Sequence, residues 1–223
     1  VEQETLAKRY SRMAEESPDR RGVDLALRFL DILFSAAFLL ISLPLVVLIV
    51  PAVLIASGRP IFYRGERVGR SGRVFSMLKF RTLKRGAESR IGPYLGAELV
   101  EQTRAEFTPI GRWLRATQLD EIPQLWNVLR GDMSLVGPRP IRPRFFEKLA
   151  ADIPAYWQRL VVRPGLTGFA QVRKGYETSW ADKLAHDLEY IADRAVGLYL
   201  RTLVATGWRV LRQSLRGLFQ PRK

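Results

Sequence analysis

The feature that most constrains this chain is an uncharged, almost wholly apolar run from Ile32 to Gly58. Twenty-seven residues without a charge exceed what a helix buried in a soluble core needs, whereas about 20 suffice to span a bilayer. A secretory signal describes the run poorly, because it starts too far in, is too long and lacks a small-residue cleavage site. Two details set it apart from a straight span. Pro44 and Pro51 lie inside it, and proline removes a backbone donor and kinks a helix. Both flanks are basic, with Arg20, Arg21 and Arg28 before the run and Arg59, Arg64, Arg67, Arg70 and Arg73 after it. Arginine beside a membrane segment favours the cytoplasmic side. If both flanks obey that rule, the segment enters and leaves on the same face. A reentrant helix–break–helix bent near Pro44 is therefore expected in preference to a helix that crosses.

Composition narrows the chemistry. The 223 residues carry 36 Lys and Arg against 22 Asp and Glu, a formal charge of +14, so the partners should be anionic. Nucleic acid, anionic lipid headgroups and phosphorylated small molecules all satisfy that condition. No cysteine is present and His186 is the single histidine. Disulfides, thiolate metal sites and cysteine nucleophiles are thereby excluded, and a serine–histidine triad or histidine metal cluster is disfavoured. What remains is chemistry by carboxylates, by basic groups, or by a hard cation held through oxygen.

Three regions follow: a polar arm at 1–22, the membrane segment at 23–58, and a catalytic domain at 59–223 that includes C-terminal amphipathic helices. The expected fold class is α+β, mostly helical, with a small β-hairpin. Pro60 to Tyr63 and Val74 to Leu78 read as its strands, separated by Gly69 and Gly72. Residues 84–107 are polar and glycine-rich, as in a mobile loop, with room for one helix. Thr108-Pro109 has the form of a helix cap followed by proline at the first helical position, opening a short helix through Arg115. A second helix is expected from Asp120 to Leu129, ended by Gly131. Proline and glycine make Val136 to Pro143 and Arg163 to Gly168 read as loops. From Val196 to Phe219, Arg201, Arg209, Arg212 and Arg216 fall on one quadrant at helical spacing, a pattern suited to a membrane surface. Trp180, Tyr190, Tyr199 and Trp208 suit an interface or a packed underside equally well. His186 reads as structural or solvent-facing.

The adjacent acids Asp120 and Glu121 mean little alone. Arg112 and Arg115 precede them, however, and Pro138-Arg139-Pro140 follows. Arginine suits phosphate because its planar fork donates two hydrogen bonds at once, and the flanking prolines limit the entropy lost on holding Arg139 against a ligand. Lys79 and Arg81 add a cation pair at the end of a strand. Each of these cations, taken singly, is as readily a solvated surface charge.

Four ordered motifs then carry a resemblance. They are Lys79-Phe80-Arg81-Thr82, the run from Leu119 to Leu129 centred on Asp120-Glu121-Ile122-Pro123-Gln124, the run from Gly131 to Pro140, and Arg163-Pro164-Gly165-Leu166-Thr167-Gly168. In this order and spacing the chain, from about Arg28 to its C-terminal helices, resembles the bacterial sugar transferases, the monotopic polyprenyl-phosphate phosphoglycosyl transferases. The resemblance implies an enzyme on the cytoplasmic face of a bacterial inner membrane. It would move sugar 1-phosphate from a UDP-sugar to polyprenyl phosphate with release of UMP, as the first membrane step of glycoconjugate or exopolysaccharide synthesis. It implies Asp120 as nucleophile and as ligand of a Mg²⁺ ion, with Glu121 as helper. Lys79, Arg81, Arg115 and Arg139 are then candidates for the phosphoryl charge, and Arg163, Thr167 and Gln171 for substrate contacts. Asp132 is expected to hold its loop. The family's bend is usually a serine–proline pair; here Ser42-Leu43-Pro44 sets the serine one place early, and Leu83 replaces the methionine that ends the first motif. UDP-sugar, polyprenyl phosphate and anionic lipids are the implied partners. A nucleic-acid binder lacks a recognition helix or aromatic single-strand motif, and a non-catalytic relative would be expected to lose the acid pair or its arginines.

Overall fold

The computed structural model describes residues 21–87, 90, 103–153, 155–174 and 179–219, with the side chains of 174 and 213–219 excepted. The arm at 1–20 and most of the loop expected at 84–107 lie outside these residues.

Helix α1 runs Arg21–Ser57 as one element of 37 residues with both prolines inside it. It is the one helix among the described residues long and apolar enough to cross a membrane, and only 11% of its apolar window is buried. Phe38, Leu40, Ile41, Leu43, Val47 and Leu48 all face outward. A soluble protein rarely leaves so much contiguous apolar surface in water, so the helix is a membrane-associating element rather than a core helix. Its two ends touch the body through different clusters. Leu27 packs with Val128, Met133 and Leu135, and the contact reaches as far as Leu39; Ile49 and Val53 pack with Phe80 and Leu114, from Leu45 onward. Ile122 touches both clusters. The changeover thus falls beside Pro44, and the Ser42 hydroxyl there donates to the Leu39 carbonyl at 3.1 Å, a back-bond that tends to bend helices.

Polar side chains on α1 point inward and tie it down. Arg28 donates to the Val128 and Leu129 carbonyls at 2.6 and 2.7 Å, which caps a helix C-terminus with a cation. One oxygen of the buried Asp31 accepts from the Ser134 hydroxyl, the Leu135 amide and the Tyr199 hydroxyl, so the carboxylate is held by donors from two other elements.

Strands β1 (Phe62–Val68) and β2 (Val74–Phe80) form an antiparallel hairpin in which Phe62 faces Phe80 and Val68 faces Val74. The first strand therefore begins later than Pro60, where the sequence placed it. The turn between them puts Ser71 and Gly72 at positive φ. Helix α2 (Pro109–Thr117) starts as expected: the Thr108 hydroxyl accepts from the Gly111 amide at 3.0 Å, with proline next.

The second helix departs from expectation. Leu119–Glu121 is a 3-10 turn, and α3 proper is Gln124–Arg130, ended by Gly131 in the left-handed region. Pro123 is the cause. It has no N–H to give the Leu119 carbonyl, so the segment tightens into bonds three residues apart, among them Glu121 to Gln118 and Ile122 to Leu119. The acid pair thus occupies a tight turn ahead of the helix and does not open the helix itself.

A second sheet was not legible as such. Val136 to Pro143 and Arg163 to Gly168 read as loops, yet β3 (Ser134–Val136) and β4 (Gly165–Thr167) pair in parallel, Ser134 beside Gly165 and Val136 beside Thr167. The approach needs glycine, since a side chain on Gly165 would collide with the Gly137 backbone. Helix α4 (Pro143–Asp152), a 3-10 segment Tyr156–Val161, α5 (Phe169–Lys174), α6 (Trp180–Asp193) and α7 (Val196–Phe219) complete the body. The four aromatics divide. Tyr190 and Tyr199 are buried, donating to Val136 and Asp31, while Trp180 and Trp208 are exposed. His186 is structural, beside Glu189 and edge-on to Phe169.

Candidate active site

Four successive residues at the end of β2 go four ways. Lys79 reaches the acid pair, Phe80 enters the core, Arg81 turns to the end of α1, and the Thr82 carbonyl accepts from Thr108 at the start of α2. Asn127 fastens α3 to this strand: its side chain accepts from the Leu78 amide at 2.9 Å and donates to the Ser76 carbonyl at 2.8 Å. A side-chain amide thus completes the open edge of β2, and strand and acid turn keep a fixed spacing.

The turn that carries the acids follows Gln118, which sits at φ 60. A left-handed residue other than glycine costs on the order of 1 kcal/mol and such strain gathers at functional sites. Asp120 is 3% exposed. Lys79 Nζ lies 2.6 Å from Glu121 Oε1 and 4.0 Å from Asp120 Oδ2. Arg139 Nη2 stands 3.8 Å from the same Glu121 oxygen, and Arg115 acts on both carboxylates through space.

The two carboxyl groups are driven apart. Burial pushes Asp120 above the usual carboxylate range; the Lys79 charge opposes this, and the Glu121 charge adds to it. Burial acts in the same direction on Glu121, but Lys79, Arg139 and Arg115 outweigh it and hold that carboxyl below its ordinary value. Glu121 is thus the settled anion of the pair, and Asp120 the one whose charge is least compensated.

Of the residues singled out in the sequence, Asp120, Glu121, Lys79, Arg115 and Arg139 come together. Arg81 does not join them. It donates to the carbonyls of Ser57, Gly58 and Arg59, capping α1, and burial lowers its pKa. Arg163 donates to the Gly131 carbonyl at 3.0 Å. Thr167 shares a hydrogen bond with Thr206 at 2.8 Å, and Gln171 buries its side-chain oxygen unpaired while its carbonyl accepts from Arg209. Asp132 holds the turn after α3 through Asn127 and Arg130.

A buried acid beside a second carboxylate held anionic by cations, in a protein with an outward-facing apolar helix, describes a membrane-associating protein with a strongly cationic carboxylate site. Comparison with known proteins agrees. Residues 23–213 match the family described as bacterial sugar transferase. A UDP-glucose:undecaprenyl-phosphate glucose-1-phosphate transferase of Caulobacter vibrioides is 38% identical over 194 residues, covering 84% of this chain and 70% of that protein. A UDP-N-acetylgalactosamine-undecaprenyl-phosphate N-acetylgalactosaminephosphotransferase of Aeromonas hydrophila is 34% identical over 85% of this chain, and an undecaprenyl-phosphate galactose phosphotransferase of Salmonella typhimurium 33% identical over 95%. The chain spans 44% and 43% of the length of those two proteins. The chain belongs to the bacterial sugar transferase family, that of the polyprenyl-phosphate phosphoglycosyl transferases.

Proposed function

We propose that this protein transfers sugar 1-phosphate from a UDP-sugar to polyprenyl phosphate at the cytoplasmic face of a bacterial inner membrane, through a covalent intermediate on Asp120. The observation that carries the proposal is the buried Asp120 carboxylate next to a Glu121 already paired with Lys79. An anion that its surroundings stabilise poorly is the better nucleophile. An Asp120 oxygen attacks the phosphorus attached to the sugar; the bond from that phosphorus to the bridging oxygen breaks, and UMP leaves with the electron pair. A lipid phosphate oxygen then attacks the same phosphorus and expels the carboxylate, giving polyprenyl diphosphate-sugar. Lys79, Arg115 and Arg139 offset the charge that gathers on the phosphoryl oxygens. Glu121 keeps Lys79 and Arg139 in place and is the group available to take the lipid phosphate's proton.

Mg²⁺ fits the donor set. Among the described residues no group of three or more acids or histidines gathers, so an ion here would be held by Asp120 together with diphosphate oxygens and water, as Mg²⁺ ordinarily is. When bound it would supply charge neutralisation for the departing UMP.

The same reading gives α1 a reentrant course. As a straight rod, 37 residues would rise about 55 Å, well beyond a hydrocarbon core of about 30 Å. Both of its ends instead pack on neighbouring clusters that share Ile122. A bend at Pro44 lets both ends return to one face, where a lipid-borne phosphate meets the acid pair. The relatives named above act on different sugars, and the donor is proposed only as a UDP-sugar.

The test is UMP release from a UDP-sugar with the lipid acceptor withheld. About one UMP per active site is expected, with phosphosugar recovered on Asp120. Active enzyme that releases no UMP until polyprenyl phosphate is added, and yields no adduct, would instead be attacking directly in one step.

A further inference from the structure

Arg139 stands between two prolines, and that creates a mechanical problem. Pro138 and Pro140 have no N–H, so the tripeptide can be anchored through its carbonyls and through a single amide. Two of those carbonyls are held. Pro138 accepts from the Gly165 amide at 2.9 Å. Arg139 accepts from Arg159 Nη2 at 3.0 Å. A small cavity lined in part by Pro138, Arg139, Phe146, Arg159 and Pro164 adjoins the loop.

Arg159 is itself locked. It is 6% exposed on the segment Tyr156–Val161. Its Nη2 also donates to Asp187 Oδ2 at 2.6 Å, and its Nη1 to the Tyr156 hydroxyl at 2.6 Å, with the cation 4.9 Å from that ring. Asp187, 4% exposed, comes from α6. A buried ion pair of this kind adds little net stability, because desolvation offsets the attraction. This one even leaves the Arg159 Nε buried and unpaired. Its geometry, by contrast, is fixed from three sides. The fork of one guanidinium joins α6, the Tyr156 turn and the backbone of the Pro-Arg-Pro loop.

We infer that the Arg159–Asp187 pair is a positioning device, which holds the Arg139 backbone so that the Arg139 guanidinium is presented to Glu121 and the phosphoryl group. Neither residue touches substrate; both act through Arg139. The inference rests on the function proposed above, in which Arg139 stabilises phosphoryl charge. The Arg139 side chain is 41% exposed and its 3.8 Å separation from Glu121 is too long for a hydrogen bond. Its place depends in part on the backbone it springs from, so a shift of the Arg139 carbonyl carries the guanidinium with it. Misplacement of a catalytic group by about 1 Å can cost on the order of a hundredfold in rate.

The test is a double-mutant cycle on the full chain, read as kcat and KM for the UDP-sugar together with thermal unfolding. In one arm the pair is replaced by apolar residues of similar volume, Arg159→Met with Asp187→Leu. Such replacements commonly leave stability unchanged or higher. The unfolding temperature should hold while kcat falls about tenfold to a hundredfold, with KM within about twofold. In the Arg139→Ala background the same replacement should change kcat by less than about threefold, because there is nothing left to position. Should the replaced pair not fold, Arg159→Lys serves instead. It keeps a cation near Asp187, but its stem is one bond shorter and does not bring a donor to both Asp187 and the Arg139 carbonyl as Nη2 does; the same kcat loss is expected at near-normal unfolding temperature. If Arg139→Ala alone leaves turnover intact, the reading of the site fails and takes the inference with it. If Arg139→Ala is damaging but the pair replacement is harmless, or its loss multiplies undiminished on top of Arg139→Ala, the positioning role alone is overturned.

Discussion

Asp120 concentrates the conflict between stability and activity in one carboxyl group. Its pKa is raised in the folded protein, first by burial. A group with a raised folded pKa stabilises the fold below its unfolded pKa, and that contribution is lost as pH rises through the folded value. At neutral pH the ionised side chain should therefore be a net burden. Glu121, with its depressed pKa, works the other way, losing its contribution only as pH falls through its folded value, and it is present in both proteins compared. We expect Asp120→Asn to abolish transfer and, in chelator, to raise the unfolding temperature at pH 7. A gain of about 1 kcal/mol would show as ~2–4 °C for a chain of this size. The difference should shrink toward pH 4 as the wild-type carboxyl takes its proton. Parallel unfolding curves of the two proteins across that range check the sign; an Asn variant less stable at pH 7 would contradict it. Arg81 teaches the opposite lesson at this scale. A guanidinium that caps a helix and one that binds phosphate are indistinguishable in sequence, and only its three carbonyl partners separate them.

At the scale of elements, α1 is pinned at both ends by arginines that cap helices. Arg28 of α1 caps α3, and Arg81, the residue after β2, caps α1. The two contacts bracket the outward-facing apolar middle, and the proposed reentrant course would put them on one side of the bilayer. The chain has no cysteine, so single thiols give a clean topology test. Gly22→Cys has open space around it, and Arg64→Cys is exposed on β1. A membrane-impermeant maleimide should label both in inverted membrane vesicles and neither in intact cells. Labelling of the two from opposite sides would establish a spanning helix. Helix α7 makes a further link, since Tyr199 reaches Asp31 of α1 and Thr206 reaches Thr167 of β4.

Across the whole molecule, α7 turns an apolar stripe outward. Leu200, Val204, Trp208 and Leu211 recur at helical spacing and are all exposed, with Arg212 over the Trp208 ring at 4.8 Å. Arg201 and Arg212 flank the stripe in the open, whereas Arg209 is drawn in to cap α5. The sequence had placed all three on one basic face. An apolar stripe with cations beside it suits an anionic lipid surface, in keeping with the net charge of +14. We expect Val204→Glu with Trp208→Glu to slow transfer to polyprenyl phosphate embedded in anionic vesicles by about tenfold, given roughly 1–2 kcal/mol for two partly buried side chains. UMP release in detergent should stay within about twofold. Equal losses in both assays would place the stripe in the catalytic body instead of at the membrane.

What was readable from the sequence was local or compositional. The apolar run, the Thr108 cap, the hairpin, the stop at Gly131 and the acid pair each depend on neighbours a few residues away, where backbone chemistry leaves a pattern. The tight turn at Asp120 was misjudged because one proline shifts the bonding from four residues to three. The β3–β4 pairing was missed because strands of three residues carry too few positions for a period. Asn127 on β2, Asp31 on Tyr199 and Arg159 between Asp187 and Arg139 join residues far apart in the chain, and no spacing rule announces such partners. The sequence by itself determined that the chain is a strongly basic, membrane-associating member of its family, because charge balance, apolar length and local motifs survive without any fold. Which arginines face the acids and which hold the frame was decided by tertiary structure alone. A guanidinium takes its role from whatever acceptors the folded chain brings within its reach.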